Sequence, residues 1–467
     1  MFIVQLIIYF ILGTIPVLFA AVQPWVWSFY TACIFATFLI ILWQNSSHLA
    51  LFPGKILVFT VGFFFVVTFC QYLPIPPDML SFLSPIRYQR LVNSHTIINS
   101  LLSWQTLSYS PIGYSLSWWT FLLSLFTFFL VLRKHCASRR NLTFIIWVMM
   151  VVATLEALYG LFQALVPTIG ILWLDPKKTG NACGTFINRN HFAGFMEMLW
   201  PLVLGYTLSL GAWHRKDNHR GGRSNSDFKK VLSSDRLNKQ LILLLLIVVM
   251  LLALLFSKSR AGITGAFIGF LSFVLLAHSG IKRRSIGFWI MIGTIIGLVF
   301  IYGLKMGFSP IIERFLMLSD GSSRLDYWHD SLAIFYDHPF GIGLGNFKRV
   351  FPVYQISIIS DVKVSHLHND YLQLLIEAGV PGFLSLVCGY LFFLGTSFYK
   401  MKKLSPHDDP LRFFLAIGAL SGLVSMTFHS FFDFNLQIPA NCIYFVTLIS
   451  LVYVCVWQRS TRRRVKV

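Results

Sequence analysis

The sequence predicts an all-α fold: a polytopic integral membrane helical bundle of about 12 transmembrane helices, with a large, partly helical loop on one side. Three observations lead there. The chain is 56% hydrophobic and only 12% charged, roughly half the charge of a soluble domain. Its apolar residues gather into runs close to the ~20 residues a helix needs to cross a bilayer. Its formal charge of +20 sits between those runs. That is the place for positive flanks of membrane helices, whereas nucleic-acid binding would spread basic residues through a soluble domain. Seven scattered cysteines with no CxxC pair support neither a disulfide framework nor a zinc site.

The runs cover residues 2–21, 25–43, 56–73, 116–132, 142–166, 191–211, 240–256, 262–277, 286–304, 372–398, 411–431 and 438–457. The first lacks a positive leading segment and a small-residue cleavage site, so it reads as a retained span and not a removed signal peptide. Cytoplasmic loops keep Lys and Arg. With both termini cytoplasmic, inner segments hold 25 of the 38 basic residues against 5 acidic ones, and outer segments hold 13 against 10. The chain then divides into residues 1–304 with spans one to nine, 305–371 as a large outer loop, and 372–467 with spans ten to twelve and a basic tail. A second long outer connection covers 74–115. The large loop is too long for a plain connector. Over 326–337 it has helical apolar spacing (Trp328, Leu332, Phe335 or Tyr336), and Gly341-Ile-Gly-Leu-Gly345 reads as a tight turn. The inner run 215–239 is charged and rich in Ser, Asn and Gly, as a flexible loop would be. The whole chain shows no internal repeat.

Residues able to carry chemistry fall on the outer side. Arg260, in Ser257-Lys-Ser-Arg-Ala-Gly262, breaks the positive-inside pattern. It is either an anion clamp, through its planar fork of donors, or a side chain snorkelling to lipid headgroups. Arg324 lies near Asp326 and Asp330, either as a surface ion pair or as a second contact to a diphosphate. His368 stands just before the tenth span, where a helix N-terminus suits an anionic ligand and an imidazole can take a proton near neutral pH. His366, His368 and Asp370 give only a weak metal reading, for want of a third clear ligand. Gly379-Val-Pro-Gly382 inside that span points to close packing or a kink. Asn188, Arg189 and Asn190 precede the sixth span. They are placed to bind sugar or phosphate, and helix capping alone would account for one asparagine. Glu197, within a span, and Asp433, between two spans, are either functional carboxylates or buried ion pairs that fix packing. Arg189, Arg260, Arg324, His368 and Asp433 come from five separate outer segments, which a bundle would gather at one mouth.

These residues carry a resemblance. His368-Asn369, nine residues, then Gly379-Val-Pro-Gly382 resembles the His-Asn/Ser/Gln-x9-Gly-x-x-Gly signature of the O-antigen ligase family. The Ser259–Gly262 turn, the Gly-Thr-Phe…Asn-x-Asn element before the sixth span and the run through Pro339–Gly345 are similar to that family as well. The resemblance covers roughly residues 142–434. It implies a glycosyltransferase of the bacterial inner membrane, acting at the periplasmic face. The donor would be an undecaprenyl-diphosphate-linked glycan, and the acceptor lipid A core, another glycan or a protein. It further implies Arg260 and Arg324 on the donor diphosphate and His368 activating the acceptor hydroxyl, in a metal-independent inverting transfer with no cofactor. Asn188, Arg189, Asn190, Asn369 and Asp433 are the remaining expected substrate contacts. The residue chemistry agrees: two arginines stabilise a diphosphate leaving group, and a histidine removes the hydroxyl proton. The outer carboxylates form no Asp-x-Asp pair, so a metal-bound nucleotide-sugar donor is not expected. The alternatives are a polysaccharide polymerase of the same superfamily, or a non-catalytic transporter of lipid-linked glycans. Transporters place charge near the midplane and show paired repeats. A structural scaffold has no use for a His-and-two-Arg mouth.

Overall fold

The computed structural model describes residues 2–44, 54–97, 102–110, 113–166, 168–172, 180–212, 235–280, 293, 322–356 and 364–458. Among these residues the chain is helical, without a strand beyond one isolated bridge between Ile75 and Gln105. The helices in chain order are α1 (Phe2–Thr14), α2 (Pro24–Gln44), α3 (Lys55–Cys70), α4 (Pro77–Leu83), α5 (Pro85–Ile97), α6 (Tyr114–His135), α7 (Arg139–Leu165) and α8 (Arg189–Ala212). They continue as α9 (Asp235–Phe256), α10 (Arg260–Gly280), α11 (Ser322–Asp337), α12 (Phe347–Val350), α13 (Asp370–Met401), α14 (Pro410–His429) and α15 (Pro439–Val452).

Nine helices among the described residues (α2, α6 to α10 and α13 to α15) are long and apolar enough to cross a membrane, and α1 and α3 are shorter apolar helices. Eleven of the twelve expected spans therefore coincide with a helix. The other, 286–304, lies outside the described residues, as do most of the inner run 215–239 and the basic tail. The first span is shorter than its apolar run. Pro16 disfavours helical geometry at Ile15 and brings no N–H of its own, so α1 stops at Thr14 and the chain turns through left-handed φ angles at Phe19, Ala20 and Ala21.

The frame of the bundle is α8 packed on α14, with α10 across both. Small residues let the backbones touch, which is how helices associate when lipid competes equally for apolar side chains. A Cβ at Gly418 of α14 would lie 2.8 Å from Leu202 Cα and 3.0 Å from the Pro201 carbonyl carbon of α8. On α10, Gly265 and Gly269 face Ser425 of α14 in the same way.

A second layer covers one end of the bundle. The short amphipathic helices α4 and α5 were not foreseen in the sequence, because neither resembles a span. Each begins with a proline (Pro77, Pro85), where a missing N–H costs nothing. They dock on the 325–356 region through His338. Its Nδ1 is 2.7 Å from Ser84 Oγ, and its Nε2 is 3.1 Å from both the Tyr109 and Tyr354 hydroxyls. Burial pushes this imidazole down to about 4, so it is neutral at physiological pH. A small apolar core of Ile334, Ile342, Phe347, Phe351, Leu367 and Ile376 ties α11 and α12 to the start of α13.

Because a methyl group at Gly418 has backbone in its way, Gly418→Ala is expected to destabilise the chain by about 1–3 kcal/mol. A thermal melt of the detergent-solubilised protein checks this; an unchanged midpoint would mean that α8 and α14 separate freely.

Candidate functional site

Three turns leave the apolar helices at one end of the bundle, and each is secured by a carboxylate belonging to a span. Glu377 of α13 accepts the N–H of Gly345 at 2.8 Å and that of Phe347 at 3.2 Å. Glu156 of α7 accepts from the Thr185 N–H at 2.8 Å and from its hydroxyl at 2.7 Å. Glu197 of α8 meets His429 Nδ1 at 2.9 Å, both groups being fully buried. His429 closes α14, and its carbonyl accepts the N–H groups of Phe432 and Asp433. Each carboxylate thus sets the position of an outer turn.

The glycine turn and the signature of α13 are one unit. Gly379 takes a left-handed φ of 69° and breaks α13. Into that break fits the 339–345 segment: Val380 donates to the Pro339 carbonyl, Ile342 to that of Ile376, and Gly343 to that of Glu377. Gly341, with φ 90°, is so close that a Cβ would lie 2.6 Å from Gly379 N. Gln373, one turn before Glu377, bonds Glu377 Oε1 at 3.2 Å and accepts from Leu367 N at 3.1 Å. The network therefore runs from the glycine turn to the residue preceding His368.

His368 has a left-handed φ of 53°, an uncommon conformation for a non-glycine residue and of the kind that collects at functional sites. Asn369 caps α13, its side chain accepting from Leu372 N at 3.0 Å. The turn aims the His368 ring at Asp433, with Nδ1 3.0 Å from Oδ1. Asp433 is fully buried, while the His368 side chain keeps 28% of its exposure. An ionised carboxylate can only accept, so Nδ1 carries the proton and Nε2 is left as a lone pair.

Asp433 has further partners. Oδ1 also accepts from Phe434 N at 2.9 Å and lies 3.8 Å from His191 Nε2. Oδ2 accepts from Asn190 Nδ2 at 2.6 Å and lies 4.0 Å from an Arg324 nitrogen. Burial alone would push this carboxyl up, but the hydrogen bond with His368 and the nearness of His191 outweigh it and hold it well below the usual carboxylate range. The ring of Phe434 sits among three histidines: His366 stacks on it with centroids 4.3 Å apart, and His191 and His368 meet it edge-on. Burial, with His191 and His368 nearby, pushes His366 down to about 4, so this ring is neutral. His366 and Asp370 turn to Gln373 and to the Leu436 N–H respectively.

The two arginines arrive by different routes. On α11, Arg324 donates to the Phe432 carbonyl at 2.7 Å, and Trp328, one turn on, donates to the Leu367 carbonyl at 3.0 Å. This helix therefore touches both chain segments that form the His368–Asp433 pair. Arg260 is the first residue of α10, which Ser259 caps by accepting from Gly262 N at 3.3 Å. Gly262 rests on Ala193, in the first turn of α8 beside Asn190. Helix packing thus sets the start of α10 beside the start of α8.

Among the expected site residues, His368, Asp433, Asn190 and Arg324 come together directly, and Arg260 opens the neighbouring helix α10. Asn188 is a cap, accepting from Asn190 N at 2.8 Å, and Asn369 is another. Arg189 opens α8 beside them. His191, His429 and Phe434 were not singled out in the sequence. A histidine inside an apolar run was the available signal, since a buried glutamate such as Glu197 requires a partner.

A set of apolar helices with this polar cluster at one end defines a multi-pass helical membrane protein. Residues 245–387 match the family model described as O-Antigen ligase. The matched stretch contains Arg260, Arg324 and His368; Asn190, His191 and Asp433 lie outside it. The chain has no match among curated proteins.

Removing the carboxylate below the glycine turn leaves two N–H groups without an acceptor, and such charge-assisted bonds contribute about 1.5–3 kcal/mol each. Glu377→Ala is expected to speed amide hydrogen exchange at Gly345 and Phe347 by tenfold or more. Unchanged protection would show that the turn holds itself.

Proposed function

We propose that the chain transfers a glycan from an undecaprenyl-diphosphate carrier to an acceptor hydroxyl at the outer, periplasmic face of the bacterial inner membrane. The observation that carries this reading is the hydrogen bond between the half-exposed His368 and the buried Asp433. It supports a ring fixed in one tautomer with its Nε2 lone pair available. Nε2 takes the proton of the acceptor hydroxyl, and the oxygen attacks the anomeric carbon. The bond from that carbon to the diphosphate breaks with inversion, and the carrier diphosphate departs. Arg260 and Arg324 take the leaving group's negative charge without a metal.

Asp433, whose oxygens are occupied by the protein, orients His368 and stabilises the imidazolium and does not touch the sugar, as carboxylates do in other His–Asp pairs. Asn190 in turn orients Asp433. A polymerase of the same superfamily would use the same groups and differ only in the acceptor. The one-sided placement of the polar groups favours transfer over transport.

The test is turnover by the full chain, reconstituted in lipid, with a lipid-linked oligosaccharide as donor and either a second copy of it or lipid A core as acceptor. His368→Ala is expected to abolish transfer by either route, whereas His366→Gln, which replaces a neutral ring, retains most of it. Full activity in His368→Ala would remove the proposed base. Growth of lipid-linked chains would identify a polymerase, and a lipid A core product a ligase.

Asp433 also fixes the pH dependence. Asp433→Asn removes the charge that an imidazolium at His368 would face. The acid limb of the kcat/KM profile is expected to move to lower pH while the plateau falls about 10²-fold or more. An unmoved acid limb would separate Asp433 from the base.

A further inference from the structure

We infer that Arg324 has a second role, resting on the reading above: through Asp433 it sets the basicity of His368, and the donor diphosphate releases that hold. The Asp433 carboxylate is shared, Oδ1 by His368 at 3.0 Å and Oδ2 by Asn190 at 2.6 Å, with Arg324 4.0 Å from Oδ2. The same guanidinium is docked on the Phe432 carbonyl at 2.7 Å, so it rests on the turn that carries the carboxylate. Asp433 is sealed from solvent while the Arg324 side chain is 34% exposed. A ligand arriving from outside meets the cation first.

A cation beside a carboxylate weakens what that carboxylate does for a second partner. With Arg324 in this place, the field of Asp433 is divided, and His368 holds a proton less tightly. A diphosphate presents more negative charge and a matching bidentate geometry. It draws the guanidinium outward and leaves Asp433 to act on His368 alone. The imidazole then becomes the stronger base once the donor is in place, which orders the reaction as donor first and hydroxyl deprotonation second.

The other titratable groups facing His368 are His191 from α8 and His366 from its own segment, with His429 of α14 and Asp370 of α13 behind Asp433. His191, His429 and Asp370 are buried, and His366 is partly buried and stacked on Phe434. Arg324 is a positioning residue in this role, and the measurement must read the proton on His368 directly.

Diethyl pyrocarbonate modifies only unprotonated imidazole, so the pH midpoint of His368 modification reports its proton affinity. It is read by peptide mass spectrometry on the full chain in nanodiscs, with turnover measured in parallel. Arg324→Gln is expected to raise the midpoint by about one unit and to raise the donor KM. Arg324→Lys, which keeps the charge, leaves the midpoint at its wild-type value while also raising KM. Inorganic pyrophosphate raises the wild-type midpoint but not that of Arg324→Gln. An unmoved midpoint in Arg324→Gln with a raised KM overturns the coupling and leaves the diphosphate reading standing. A raised midpoint with unchanged KM and no pyrophosphate response overturns the release by donor and the diphosphate reading of Arg324 together. Should Arg324→Gln fail to fold, the pyrophosphate response of the wild-type chain decides: a raised midpoint supports the coupling, and an unmoved one overturns it.

Discussion

The arrangement depends on one constraint, that backbone leaving a helix among apolar helices must still find hydrogen-bond partners. Glu377 shows how it is met. Its carboxylate, 3% exposed, takes the N–H groups of the glycine turn, and Gln373 passes the support on to the segment before His368. An isolated buried carboxylate would be costly. Here it is surrounded by donors that have no other acceptor, so two unfavourable burials offset each other. Glu156 does the same for the Thr185 turn, whereas Glu197 holds the end of α14 through the His429 ring.

From that constraint the shape of the signature follows. The two glycine-containing motifs, forty residues apart by rough count in the sequence, are halves of one contact, because only residues without a side chain allow Gly341 and Gly379 to touch. The left-handed break at Gly379 exposes the carbonyls of Ile376 and Glu377, and the 339–345 segment supplies their missing donors. The glycines of the signature therefore place the loop, and the histidine at its start is the one the proposed function takes as base. The Ser-Arg-Ala-Gly turn divides in the same way, with Ser259 as cap and Gly262 as the contact to α8.

Much of this was legible in the sequence because bilayer length and charge asymmetry are strong, one-dimensional signals. The helices α6 to α10 and α13 to α15 each follow from an apolar run alone. The run 2–21 misled in length because hydropathy does not register that Pro16 ends a helix. The helices α4 and α5 were invisible for the opposite reason. Their stability comes from contacts such as Ser84 with His338, on a segment far away in the chain, and not from a periodic pattern of their own. For the site, Arg260, Arg324, His368 and Asp433 stood out by position and charge. The division of labour did not, since nothing local says that Asp433 is buried or that Asn188 is a cap while Asn190 reaches the carboxylate. His191 and His429 were hidden in apolar runs, where a histidine looks like part of the span until its partner is known.

The parts of the site differ in how they are anchored, and this bears on what each can do. Asp433, Asn190 and His191 belong to the ends of α8 and α14, the two helices whose backbones touch through Gly418 and Pro201. His368 is fixed by the cap at Asn369 and by the network through Gln373. On the proposed function these groups must hold sub-ångström relations for proton transfer, and rigid elements supply them. Arg324 instead stands near the start of α11, outside the bundle, and reaches the site with a long side chain. A group that must leave Asp433 for an arriving phosphate is best placed on such an element, and a base that must not move is best placed on the bundle. The separation of a fixed His–Asp pair from a peripheral arginine thus suits the proposed transfer, whose donor would be long, charged and released at every turnover.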